Sequence, residues 1–138
     1  MPYEEEELDW NEPDEALDDL VRQIIGAAIE VHRHLQAGLD EASYESAMAH
    51  ELLARRIPFQ RQVVVPVMYK GQPIGEKRLD FIVGGRVVLE LKAVEELSKL
   101  HKAQVKTYLK ITGCQIGLLI NFNVVLLKEG IKRIIYRK

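Results

Sequence analysis

The chain has a single cysteine, Cys114, which excludes an internal disulfide and makes a reduced intracellular compartment, the cytoplasm, the expected setting. Cys114 also has no partner at metal-ligand spacing, so it gives no argument for zinc. Proline is scarce, at five residues, and with 47% apolar content this favours a folded globular chain over a disordered one. Long hydrophobic runs are missing too. The longest, VVVPV and IGLLI, fall far short of the roughly 20 residues of a membrane span, and no signal-peptide pattern is present. The first 19 residues lack lysine and arginine but hold ten acidic side chains. The net charge of -2 therefore hides a remainder with eleven acidic and nineteen basic groups, an excess of +8. Such a body attracts polyanions, and an acidic tail can compete for the same surface, although solubility alone also accounts for both.

A length of 138 residues suits one domain with one core. Residues 1–15 read as an acidic, flexible tail and residues 16–138 as a single domain, with Trp10 the one tail side chain suited to packing on the body or a neighbouring subunit. Leu17, Leu20, Val21, Ile24, Ile25, Ala28, Ile29 and Leu35 recur at helical spacing and predict a helix to about Gln36, before Gly38. His32 lies near its buried edge and His34 on its outside; neither has ligand spacing to other residues, so both read as structural or surface residues. Asp40 caps a second helix over about 41–56, with Tyr44, Ala47, Met48, Leu52 and Leu53 inward. Glu41 and Glu45 share a face of it. They suit the helix start by charge alone, or one of them stands beside a metal.

A strand follows over about Gln60–Tyr69, where Pro66 signals an edge or bulge, and residues 70–73 turn the chain back. Ser98 caps a third helix to about Ile111, with Leu100, Ala103, Val105, Tyr108 and Leu109 on its apolar side. Thr112–Gly113 stops it, Gln115–Asn121 reads as an interior strand, and Val124–Lys128 with Ile131–Tyr136 reads as a final strand or hairpin. The order is ααβββαβ plus one or two β elements: an α/β fold with a central mixed β-sheet flanked by helices.

The stretch EKRLDFIVGGRVVLELK, residues 76–92, holds the anomaly. Alternation places Leu79, Phe81 and Val83 on one face of the first strand, with Asp80 and Ile82 opposite. In the second, Val87, Leu89 and Leu91 share a face, opposite Val88, Glu90 and Lys92. Charged groups among strand interiors are rarely buried unless paired or metal-bound. Asp80 stands opposite Glu90 only if Val83 faces Val87, which makes Gly84–Gly85–Arg86 a three-residue loop with a glycine free to turn left-handed. Facing carboxylates repel and need Lys92 or a divalent cation for compensation. Asp80, Glu90, the Leu91 carbonyl and Glu41 are oxygen donors suited to Mg²⁺ or Mn²⁺, and Lys92, about 7 Å beyond Glu90, can orient a water and steady charge on a phosphate. The spacing equally allows a structural ion pair between Lys92 and one carboxylate.

Gly38, Glu41 and Tyr44 in GLDEASYE resemble the signature of the GxxExxY proteins, and the likeness continues through IPFQRQ, the YKG turn, RLDFIV, VVLELKAVEEL, HKAQVKTYLK and GLLINF, over about residues 17–136. That family lies in the PD-(D/E)XK nuclease superfamily. The resemblance implies a restriction-endonuclease-like core that cuts phosphodiesters with Mg²⁺ (or Mn²⁺), with DNA the expected substrate. It implies Asp80 as the motif aspartate, Glu90–Leu91–Lys92 as the (D/E)xK and Glu41 as the helix-borne glutamate that completes the metal site, with Glu45 its rival. Gln104 and Tyr108 resemble the QxxxY of RecB-like nucleases, an amide and a phenol one helical turn apart that can hold the lysine or a nucleotide. Leu79 stands where the superfamily's proline precedes the aspartate. A body this small is expected to need a homodimer or partner protein to enclose a duplex. The alternatives are a catalytically inactive nucleic-acid-binding or protein-interaction module on this fold, or a structural subunit whose acidic tail masks a basic surface.

Overall fold

A computed structural model describes residues 14–136. Helices α1 (Glu15–Leu35) and α2 (Glu41–Ala54) precede strands β1 (Phe59–Tyr69), β2 (Gln72–Val83) and β3 (Val87–Lys92); helix α3 (Lys99–Thr112), strand β4 (Ile116–Asn121), a 3₁₀ turn (Leu127–Gly130) and strand β5 (Ile131–Ile135) complete the order. Residues 1–13, including Trp10 and most of the acidic segment, lie outside the described residues.

Local chemistry sets the helix ends. The Asp14 carboxylate accepts a hydrogen bond from the Leu17 amide at 3.0 Å and also pairs with Arg86, which ties the start of α1 to the β2–β3 loop. Asp40 caps α2 by accepting from the Ser43 amide at 2.9 Å. Ser98 and His101 form a reciprocal capping box at α3, which ends on left-handed Gly113, φ 78°. The buried Tyr44 donates its hydroxyl to the Gln36 carbonyl at 2.5 Å, accepts from the Leu39 amide at 3.1 Å and stacks on Phe122, so the turn between α1 and α2 closes over its ring. His32 is structural, as expected, with Nε2 2.8 Å from the Val124 carbonyl.

The strands form one mixed sheet in the order β1-β2-β3-β4-β5, antiparallel except for the parallel β3–β4 pair. β1 is an edge, in keeping with Pro66, and β4 is buried along its whole length. Helices α1 and α2 cover one face over Phe81, Val83, Leu89, Leu91, Leu118 and Phe122. Helix α3 covers the other, where Val105, Tyr108 and Leu109 meet Val65, Leu79, Val88 and Leu119. Gly117 permits this close approach, because a Cβ there would sit 2.5 Å from a Val105 methyl.

Four expectations need correction. Leu79 does not share a face with Phe81 and Val83; it packs under α3 with Val65 and Val88. The cause is an interruption at Gln62, whose φ is 55° and which the β1–β2 register, Arg61↔Phe81 then Val63↔Leu79, leaves unpaired opposite Asp80. The hairpin changes side there, so Phe59 and Phe81 pack towards α1 and α2 while Val63, Val65 and Leu79 pack towards α3. On α2, Ala49 is buried and Leu53 is 67% exposed. On α3, Leu100 is 78% exposed and Ala103 is also outside the core, because an open cleft separates the start of the helix from Val67, Lys77 and Lys92 of the sheet. Residues 124–128 form no strand; they lead into the 3₁₀ turn, and Gly130 presses against the Asn121 carbonyl where a Cβ would lie at 2.2 Å.

Candidate active site

The three-residue loop forms as the spacing requires. Gly84 and Gly85 both have positive φ, 59° and 68°, and Val83 faces Val87. The β2–β3 ladder then runs only through Ile82↔Val88 to Phe81↔Leu89. One step further, at Asp80 and Glu90, side chains replace backbone pairing. The Asp80 amide donates to Glu90 Oε2 at 2.6 Å, and the Leu91 amide donates to Asp80 Oδ2 at 2.8 Å. β3 continues beside β4 as far as Lys92↔Asn121 while β2 departs, so the two carboxylates fill the wedge between separating strands. Each carboxylate keeps one oxygen without a hydrogen bond among the described residues.

Both are nearly enclosed, with Asp80 9% and Glu90 4% exposed. Burial pushes the Asp80 carboxyl up to about 6, against the Leu91 hydrogen bond, and the charges of Glu45 and Glu41 push the same way. Burial, followed by the charge of Asp80, pushes Glu90 up to about 8. The Lys92 charge draws both down, yet Lys92 forms no hydrogen bond or ion pair through its side chain among the described residues. It faces a cleft of about 540 Å³, which Gln104 and Tyr108 also line. Burial raises the Tyr108 phenol, with smaller contributions from the charges of Glu90 and Asp80.

The two glutamates of α2 differ. Glu45 Oε2 accepts from Arg61 Nε at 2.8 Å, and both Glu45 oxygens lie 2.8 Å from the side-chain Nε2 of Gln62. Glu41 is exposed and makes no such bond; its charge is felt by both Asp80 and Glu90. Among the described residues no three His, Cys, Asp or Glu side chains come close enough to hold a metal together, so Glu41 stands near the carboxylate pair without joining a cluster. Chemically the pair suits a hard divalent cation: the donors are all oxygen, one oxygen of each acid is unbonded, and the mutual repulsion is what a cation would relieve. Arg61 and Gln62 were not singled out as site residues from the sequence. They reach Glu45 from a strand more than a dozen residues away, and a left-handed glutamine has no periodic signature.

A mixed sheet between helices, with two buried carboxylates and a lysine where an antiparallel pair opens, defines an α/β protein of restriction-endonuclease-like architecture. The family model for the PD-(D/E)XK nuclease superfamily matches residues 18–134, and the chain belongs to that superfamily. No curated protein matches it. Among solved structures, the crystal structure of SSO0001 is similar in fold, with a TM-score of 0.53 at 17% identity over 70% of this chain. The match covers 50% of SSO0001, so this chain spans about half that protein's length. No helix among the described residues is long and apolar enough to cross a membrane.

Proposed function

We propose that the protein is a nuclease that hydrolyses phosphodiester bonds of DNA with Mg²⁺ or Mn²⁺. The observation that carries this reading is the pair Asp80 and Glu90 in the opened ladder, beside a Lys92 that no carboxylate holds in an ion pair. Asp80, Glu90 and the Leu91 carbonyl would hold the cation, and Glu41 would complete its shell, since Glu45 is already engaged by Arg61 and Gln62. A bound divalent cation supplies a lowered water pKa and stabilisation of charge on the phosphate. Lys92 donates hydrogen bonds that aim the attacking water and steady the negative charge growing on the phosphoryl oxygens. Gln104 offers amide protons to a phosphate oxygen, and Tyr108 sets the position of Lys92 from the same helix face. A second copy or another protein would extend the surface to a full duplex.

The test is cleavage of linear, nicked, branched and single-stranded DNA with Mg²⁺ or Mn²⁺, with Asp80→Ala as the control. Cleavage that disappears in the variant while DNA affinity is largely kept supports the assignment; equal activity in the variant overturns it. Binding without cleavage by the native protein on every substrate would identify a catalytically inactive nucleic-acid-binding module.

A further inference from the structure

The change of side at Gln62 and Asp80 has a second effect, on the cleft beside Lys92. Beyond that point the α3-facing side chains of the β1–β2 ribbon include Val67 and Lys77, and these form one wall. The opposite wall is α3, with Leu100, Ala103, Gln104, Thr107 and Tyr108 spaced i, i+3, i+4, i+7 and i+8 as one helical stripe and His101 beside it. At Tyr108 this stripe enters the core, whereas at Leu100, 78% exposed, it is open to solvent. An apolar stripe with an amide and two hydroxyls suits a flat, partly apolar ligand with a hydrogen-bonding edge. Lys77 and Lys92 bring positive charge to the lining, His101 also borders it and no lining residue is acidic, which suits a ligand with negative charge. The cleft volume, about 540 Å³, lies in the range of roughly 300–1,000 Å³ typical of small-ligand pockets and cannot admit a duplex.

We infer that this cleft binds one unstacked nucleotide of the substrate strand, next to the phosphate held at Lys92, with its base laid between Leu100 and Val67. The inference rests on the nuclease reading and deepens it, because it makes a single-stranded or locally opened site the preferred substrate. A paired base cannot reach the α3 stripe without leaving its stack, so a continuous duplex must first open, at an unstacking cost that single strands escape. The bound base gains contact with apolar walls that accept any sequence, while the lysines hold the backbone on either side of it.

The test uses the full chain carrying Asp80→Asn, so that binding is read without cleavage, and a short single-stranded oligodeoxynucleotide containing a fluorescent purine analogue. Fluorescence should change on binding as the analogue leaves its neighbours. The affinity should exceed that for the same strand in a perfect duplex, and a mismatch beside the analogue should recover much of the loss. Leu100→Ser, at an exposed position that leaves folding intact, should weaken single-strand binding by about tenfold and leave duplex binding unchanged. Equal affinity for single strand and duplex, or single-strand binding untouched by Leu100→Ser, overturns the inference. A shift of Leu100→Ser towards monomer in sedimentation, with nucleotide binding unaltered, would also overturn it by showing that a second copy covers the cleft. These readouts stand apart from the nuclease assignment: absent cleavage with selective single-strand binding would reject catalysis and retain the cleft, whereas cleavage of duplex without such selectivity would do the reverse.

Discussion

Four carboxylates lie around the opened end of the β2–β3 ladder, and the two pairs are held in opposite ways. Asp80 and Glu90 are buried, repel each other, and are fixed only by backbone amides. On α2, Glu41 is exposed and has no hydrogen bond among the described residues, whereas Glu45, its side chain 12% exposed, is bound by Arg61 and Gln62. The difference shows that side-chain type does not assign the role. Water absorbs charge at the surface cheaply, so α2 can leave Glu41 exposed; inside the wedge the same chemistry raises proton affinity and leaves one oxygen of each acid without a hydrogen bond among the described residues.

The largest effect expected from breaking this contrast is at the buried pair. Asp80→Ala should lower DNA cleavage by at least about a thousandfold at saturating Mg²⁺, measured as initial rate, with affinity nearly kept. On α2 the two glutamates should separate. Glu41→Gln should raise the Mg²⁺ concentration for half-maximal cleavage by about tenfold, and Glu45→Gln should change it by less than about threefold. The reverse ranking would make Glu45 the residue that completes the site.

A third prediction concerns stability, without metal. The folded-state pKa values of Asp80 and Glu90, about 6 and about 8, lie above their ordinary values of 3.8 and 4.5. The folded protein therefore binds these protons more tightly than the unfolded chain, and the stabilisation from protonation is fully present below about pH 4 and lost as pH rises through about 8. Glu90→Gln keeps an acceptor for the Asp80 amide and removes a charge. It should leave the chelator-treated protein several degrees more stable than the native sequence at pH 8, with the gap closing towards pH 4. A constant gap across this range would mean that Glu90 is not the group responsible. The smallest effect is at Gln62, which bonds Glu45 from a left-handed backbone position. Gln62→Gly and Gln62→Ala both lose the bonds to Glu45, but only alanine must hold the left-handed backbone, so the glycine variant should be more stable by roughly 1 kcal/mol in urea unfolding.

Much of this was legible in the residues. The caps at Asp40 and Ser98, the stop at Gly113 and the edge character of β1 follow from local chemistry, and local chemistry formed them. The facing of Asp80 and Glu90 followed from a loop that glycines alone could make. Leu79, Leu53 and Leu100 were placed wrongly for a shared reason: periodicity tells which residues share a face, and only the tertiary arrangement tells where a covering layer ends or a strand changes side. The change of side turns on Gln62, a residue type with no preference for positive φ. Likewise, the bond from Arg61 to Glu45 joins elements whose approach no sequence spacing encodes.

That change of side also constrains how the hairpin can vary in length. Beyond Gln62 and Asp80 the ribbon alternates as far as Val67↔Gly75, where the register shifts before the Lys70–Gly71 turn, so adding or removing two residues from each strand together keeps the parity of the side chains along that stretch. Loss of one residue at Gln62 would reverse the parity of β1 beyond it, turning Val65 out of the α3 layer and Val67 off the cleft. The distal arm can therefore lengthen or shorten in even steps, while the junction beside Asp80 admits no change of length.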